Sequence, residues 1–389
     1  MRVLLVSPRP LEPVRRGHQL RALQLARALV ELGHPTTLAA PAAEACDGRG
    51  ADGVRRVAVR APAARAGFGV LRALASGLPA QAGVHGGPAL AAAVAELARD
   101  ADLVILQLAR LGRLLPSAGG RPVVFDLIDS LALNFERRAR FERAGLAPLV
   151  RFEARRLLAF ERRLVAGARA AWLVAERDRV WLAERLPAGE AVKLATLPLA
   201  IAPSAGAPRA RAAGVAPRAM ITGNLGYFPT RQGAQAFLAS AWSGVRARCP
   251  GLELVLAGAR PPRGLRRAAA RAGVSLIADP TDLPALLGSA DLALVPLDAG
   301  SGVPIKLLEA WGAGVPVVAT SWAAAGAEAR AGVDHLAADS PAAWADAIAR
   351  LLARPEEGAR LAEAGRARLA ERWSEARLGV ALEGALARL

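Results

Sequence analysis

Two residues in the stretch 298–320, DAGSGVPIKLLEAWGAGVPVVAT, have the types and spacing that chemistry needs: Lys306 and, three positions on, Glu309. Gly300 and Gly302 precede them, and Gly312 and Gly314 follow. The pattern predicts a glycine loop, a short helix carrying both side chains, and then a buried strand over Pro316–Thr320. A glycine loop opening onto a helix N-terminus offers free backbone N–H groups to an anion, and the helix dipole adds to the attraction. Lys306 supplies a point charge and Glu309 a carboxylate able to grip vicinal hydroxyls. Phosphate beside a diol is the chemistry of a nucleotide sugar. The plainer alternative is an exposed lysine with Glu309 as its partner on the same helix face. Function is favoured because only Lys193 and Lys306 are lysines among 51 basic residues.

Other candidates are spread along the chain. In GNLGYFPTRQGAQAF (223–237), Gly223 and Gly226 allow backbone to approach phosphates. Arg231 offers charge there, or merely lies on a helix surface. Tyr227, the only tyrosine, lines a site or packs in a core. Near the N-terminus, Arg15, Arg16, His18 and Arg21 surround Gly17, a loop suited to an anionic acceptor or simply a solvated basic turn. Asp126 and Asp129 in VVFDLIDS follow a buried strand at its functional end. Asp129 is the better acceptor-side carboxylate, with Asp126 assigned to bracing the loop.

The elements that must position these groups follow from periodicity. Val3–Ser7, Thr36–Ala40, Asp102–Leu106 and Pro122–Leu127 read as strands, with a helix from His18 to Leu32 closed by Gly33. Residues 41–100 give no decisive pattern. Residues 131–169 mix ten arginines, four glutamates and several phenylalanines, and suggest a charged helix face with near-neighbour pairs among Glu153, Arg156, Glu161 and Arg162. Trp172–Ala175 reads as a further strand and Asp178–Glu184 as a short helix. After a Pro/Gly/Ala-rich linker the α/β pattern restarts. Ala219–Thr222, Leu252–Ala257, Val274–Ala278 and Asp291–Pro296 are expected strands, with helices at Gly233–Arg248 and Leu283–Ser289. The expected division is an N-terminal domain at 1–199, a linker at 200–217 and a C-terminal domain at 218–374. The final segment, 375–389, is expected to pack back on the first domain.

A chain of 389 residues with 53% apolar content is long enough for two cores. Cys46 and Cys249 have no CxxC spacing, which fits a reducing compartment rather than a disulfide framework. The apolar run at the N-terminus is too short for a signal-peptide core, and no 18-residue apolar run suggests a membrane span. The net charge of +17 is nearly all arginine. It is read first as a solvated surface, and it also allows contact with anionic lipid. No GxSxG, Walker A, HExxH or Cys/His cluster is present, and no DxD-type pair marks a divalent-metal site.

The segment 298–320, together with the glycine turn at 223, the LAGA strand end and the DLALVPL strand, resembles the donor domain of the family 4 glycosyltransferases, the group 1 glycosyl transferases. The resemblance is strongest over roughly 219–330. It implies an α/β GT-B fold: two Rossmann-like doubly wound domains facing a central cleft. It implies donor contacts from Gly223, Asn224, Tyr227, Ser301, Gly302, Val303, Pro304 and Glu309, the last holding ribose hydroxyls. It implies catalytic work by Lys306, Arg231 and Asp129, and a phosphate or acceptor loop of Arg16, Gly17, His18 and Arg21. The family helix normally carries two glutamates separated by seven residues. Here Ser301 stands eight positions before Glu309, a pattern of branches that carry a lysine on the helix. The basic Phe/Arg segment is similar to sugar transferases of bacterial exopolysaccharide clusters.

The expected function is sugar transfer from a UDP- or GDP-sugar to a hydroxyl on a lipid-linked sugar, polysaccharide or small glycoside, with retention and without metal or other cofactor. A catalytically inactive nucleotide-sugar or anionic-polymer binding module is the alternative. Nucleic acid is not an expected partner. The expected location is cytoplasmic, with peripheral contact on the inner face of the plasma membrane allowed by the charge.

Overall fold

The computed structural model describes residues 1–13, 17–61, 66–203 and 214–389. The chain divides into two compact units, Met1–Ala200 with Glu375–Leu389, and Ile201–Ser374. Residues 204–213 of the expected linker, like Arg15 and Arg16, lie outside the described residues.

The first unit is built on eight strands: β1 Val3–Val6, β2 Thr36–Ala42, β3 Cys46–Arg49, β4 Arg55–Arg60, β5 Leu103–Gln107, β6 Val123–Ile128, β7 Ala170–Leu173 and β8 Leu194–Thr196. Their order is β3-β4-β2-β1-β5-β6-β7-β8. All neighbours are parallel except β3 and β4. The helices are α1 Gly17–Glu31, α2 Ala66–Ala75, α3 Pro88–Leu97, α4 Leu131–Ala139, α5 Ala147–Gly167, α6 Glu176–Ala183 and α7 Ala188–Ala191. The VLLV of β1 and LVILQ of β5 are buried throughout, as strands covered on both faces must be. One apolar layer joins Leu5, Leu25, Leu29 and Trp172; the other joins Leu106, Phe125, Leu157 and Phe160. Gly33, at φ +80°, ends α1 in the left-handed conformation.

Residues 41–100, undecided from periodicity, hold β3, β4, α2 and α3. β3 is the exposed hairpin strand CDGR. It has no apolar face to announce it, and Arg55 pairs with Asp47 across the hairpin at 2.6 Å.

The second unit carries β9 Arg218–Asn224, β10 Glu253–Ala259, β11 Ser275–Ala278, β12 Leu292–Val295, β13 Val317–Ala319 and β14 Leu336–Ala337, all parallel, in the order β11-β10-β9-β12-β13-β14. Its helices are α8 Phe228–Ser240, α9 Trp242–Arg248, α10 Arg263–Arg271, α11 Leu283–Gly288, α12 Ile305–Gly312, α13 Ser321–Gly326, α14 Pro341–Ala353 and α15 Pro355–Arg372. The helix expected over Gly233–Arg248 starts earlier, at the Tyr227–Pro229 entry, and breaks at Ala241. Ser240 bonds back to the Ala236 carbonyl, and buried Trp242 donates to the Ala272 carbonyl, so the chain bends there. Ser340 caps α14 by accepting from Ala343 N, with Pro341 at its first turn.

The chain returns to the first unit through α16, Glu375–Leu386. Leu378, Leu382, Ala385 and Leu386 join the apolar layer of Leu25 and Leu29 on α1.

Candidate functional site

The second sheet changes direction between β9 and β12. From β9 the order runs outward to β11, and from β12 outward to β14. Loops leaving such a pair diverge and open a crevice at the strands' C-terminal ends. The loop after β9 enters α8 through Tyr227 and Pro229, and the loop after β12 enters α12 through Pro304. Two close approaches need glycine. A Cβ on Gly233 would lie 1.7 Å from the Pro296 carbonyl oxygen, and one on Gly258 would lie 1.7 Å from that of Gly223. Gly300 and Gly302, at φ +99° and +71°, shape the loop before α12.

Lys306 projects from the first turn of α12 into this crevice. Its ammonium donates to the Thr230 hydroxyl at 2.7 Å. A Cβ on Gly223 would stand 3.1 Å from Lys306 Cε and 3.3 Å from Nζ, so the side chain lies against the glycine turn. Burial pulls the ammonium down to about 8, with Glu309 opposing the shift. Burial likewise raises the Glu309 carboxyl, with Lys306 opposing. The structure therefore brings one cation, one carboxylate and the N-terminal turns of α8 and α12 to one crevice. An anion placed there meets the ammonium and the positive ends of two helix dipoles in a partly buried setting.

The remaining donor-side candidates surround this crevice. Asn224 Oδ1 accepts from Gly226 N at 3.1 Å and fixes the turn after β9. Tyr227 is 46% exposed at the mouth of α8, which removes it from the core. The Arg231 guanidinium lies 5.5 Å from the Phe228 ring centroid on the same helical turn. Gly302 is buried, and Ser301, Val303 and Pro304 are half-buried on the approach to α12. Trp322 Nε1 donates to the Gly300 carbonyl at 3.3 Å and holds the loop from behind. Thr230 is absent from the sequence-based candidates; its only signal is its place beside Pro229 in the first turn of α8.

In the first unit the structure corrects one assignment. Arg21 is 2% exposed, and its guanidinium grips Asp126 at 2.7–3.0 Å while donating to the Pro198 carbonyl at 2.9 Å. It is a buried brace, not an anion-binding group of the loop. Gly17 begins α1, and the His18 carbonyl accepts from Gln107 Nε2 at 3.0 Å. Arg16 lies outside the described residues.

Asp129 is half-buried beyond β6, just after Ile128, whose φ of +66° is rare for a β-branched residue. The following Ser130 caps α4 by accepting from Leu133 N. Glu161 of α5 lies fully buried against that end and accepts from Leu131 N at 2.6 Å and Ser130 Oγ at 2.8 Å. This removes Glu161 from the expected charged helix face, on which Glu153 and Arg156 do pair at 4.0 Å. Burial pushes the Glu161 carboxyl up to about 8, the negative charge of Asp129 adding to it. Of the three expected catalytic side chains, Lys306 and Arg231 belong to the second unit and Asp129 to the first. Among the described residues no three His, Cys, Asp or Glu side chains gather as a metal site, and no helix is long and apolar enough to cross a membrane.

Residues 216–354, which hold this crevice, match the family of glycosyl transferases group 1. No curated protein matches the chain in sequence. Several solved structures share its fold from end to end. Sucrose-phosphate synthase from Thermosynechococcus elongatus superposes with a TM-score of 0.76 at 15% identity, covering 100% of this chain and 98% of that one. HepE from Anabaena, in complex with UDP-glucose, gives 0.67 at 15% identity, with 100% of both chains covered. Trehalose 6-phosphate synthase from Burkholderia multivorans gives 0.68 at 16%, covering 99% and 98%. The shared fold is GT-B, two Rossmann-like domains each on a parallel sheet.

Proposed function

We propose that this GT-B glycosyltransferase, whose residues 216–354 belong to glycosyl transferases group 1, moves a sugar from a nucleotide-diphosphate donor to a hydroxyl. One observation carries the reading: Lys306 Nζ sits between the Gly223 turn and Thr230 Oγ1, with Glu309 on the same short helix. The donor diphosphate would lie against Lys306 and the N-terminal turns of α8 and α12. Glu309 would take the ribose hydroxyls. As the bond from the anomeric carbon to the diphosphate breaks, charge grows on the leaving oxygen. Lys306, with Arg231 and the helix N-termini, would stabilise it as preorganised charge, without a metal. Retention of configuration follows the family resemblance. UDP is favoured as the nucleotide, since HepE carries UDP-glucose and a trehalose-phosphate synthase of the same fold is UDP-forming. We assign the acceptor to the first unit, with Asp129 as its carboxylate. A glycan, a lipid-linked sugar or a small glycoside fits, as in exopolysaccharide assembly, and the charge of +17 suits peripheral contact with an anionic membrane.

Calorimetric titration with UDP, GDP, ADP and their common sugars tests the donor site. Selective binding of one nucleotide, lost in Lys306→Ala and weakened in Glu309→Ala, is the expected result. Absence of binding by every nucleotide to the folded protein would overturn the reading.

A further inference from the structure

The first unit presents a helix whose outer face is rich in arginine. α5 spans 21 residues and buries Val150, Ala154, Leu157, Phe160 and Leu164 against α4 and the sheet. Both of its glutamates leave the solvent face. Glu161 is sealed against the start of α4, and Glu153 turns inward to accept from Gln81 N at 3.4 Å. On the outer face, Arg151, Arg155 and Arg162 are exposed and form no ion pair among the described residues, with Glu136 of α4 bordering the same depression as Arg151 and Arg155. Their positions, four and then seven apart, keep them on one side of the helix. Large apolar side chains flank this row on the same exposed arc: Phe152, 56% exposed, stands about 60–100° round the helix from the arginines, Leu149, 63% exposed, lies at the far edge of the arc, and Leu146 just before the helix is 49% exposed. The Phe152 ring rests 5.5 Å from the Arg156 guanidinium, which holds it in place.

We propose that this outer face of α5 docks on an anionic lipid bilayer, with Leu149 and Phe152 entering the headgroup–acyl boundary and the arginines on lipid phosphates. The combination selects the partner. A basic face alone suits any polyanion, but a nucleic acid or acidic glycan offers no apolar phase for leucine and phenylalanine. A bilayer offers both layers at the right depth, and arginine stems reach from one to the other. Withdrawal of both glutamates removes from α5 the groups that anionic headgroups would repel. The inference rests on the peripheral location proposed above and is independent of the donor crevice, which lies in the other unit.

Vesicle flotation with the full chain tests it, using phosphatidylcholine alone and with about a third phosphatidylglycerol. Two variants are compared: Leu149→Ser/Phe152→Ser, which keeps the charge, and Arg151→Gln/Arg155→Gln/Arg162→Gln, which keeps the apolar groups. The wild-type chain should float only with the anionic vesicles, and less so in high salt. Each variant should partition at least about fivefold more weakly, the factor that one basic residue near such a surface contributes. Nucleotide binding and circular dichroism should stay as in the wild type. Anionic-vesicle binding by both variants that equals that of the wild type would place the contact elsewhere and overturn the inference while sparing the peripheral location. Loss in the arginine variant alone, matched by loss of heparin binding, would make the face a polyanion surface. No flotation of the wild type would overturn inference and location together, leaving the donor reading to its own titration.

Discussion

Burial brings the Lys306 ammonium down from the usual 10.5 to about 8, so its charge is at stake in the working range of most enzymes. A bound diphosphate would favour the charged form and raise that value again. Donor binding near pH 8–9 should therefore draw a proton from solution. Calorimetry in two buffers of different ionisation enthalpy would read this as a difference in apparent heat, absent in Lys306→Met. Affinity should fall as pH rises above about 8, because the free protein loses the cation there. Thr230→Val removes the hydroxyl that orients this ammonium. A hydrogen bond to a charged group contributes about 1.5–3 kcal/mol, so donor affinity should drop roughly tenfold or more. Glu309→Ala should cost a similar amount, read with the nucleoside diphosphate alone. The cation and the carboxylate are legible in the sequence because one short helix carries both. Thr230 is not, since it lies 76 positions from Lys306 and its role exists only once two loops converge.

At the scale of elements, α1 and β6 are clamped by the Arg21–Asp126 pair, which is almost wholly out of water. Removing one partner strands a buried charge, which costs about 3–5 kcal/mol. Arg21→Met or Asp126→Leu alone should lower the denaturation midpoint of the first unit sharply, and the double variant should recover much of it. Glu161 makes the α4–α5 pair sensitive to pH. Its carboxyl titrates near 8 in the fold against 4.5 as the ordinary value, so between these limits the unfolded chain holds fewer protons. Stability should then fall as pH rises from about 4.5 to about 8, by at most about 1.4 kcal/mol per unit, and level off above. Glu161→Gln should flatten that slope in denaturant titrations.

The parallel strands are legible from their apolar runs, as in Val3–Val6 and Leu292–Val295, because both faces are covered. The β3 hairpin is not, since ion pairs rather than an apolar face hold it. Nor is the inward turn of Glu161, a polar residue drawn into the core by free N–H groups on another helix. Arg21 looks like a surface cation for the same reason: its partner lies 105 positions away.

For the molecule as a whole, the second unit is continuous in sequence and the first is not. α16 supplies part of the first unit's core, with Leu382 fully buried beside α1. Removing residues 375–389 should expose the apolar side of α1, lower the first unit's thermal midpoint and leave the second unit's transition in place. Differential scanning calorimetry of the truncated chain would resolve the two.

This discontinuity also sets an order of events on the ribosome. Residues 201–374 can collapse as soon as they clear the exit tunnel, whereas the Met1–Ala200 portion must wait for α16 with Leu25 and Leu29 uncovered. At about 5–20 residues per second, that wait lasts about ten seconds or more. The nascent chain thus carries an open apolar stripe through most of its own synthesis, a natural station for a holdase chaperone.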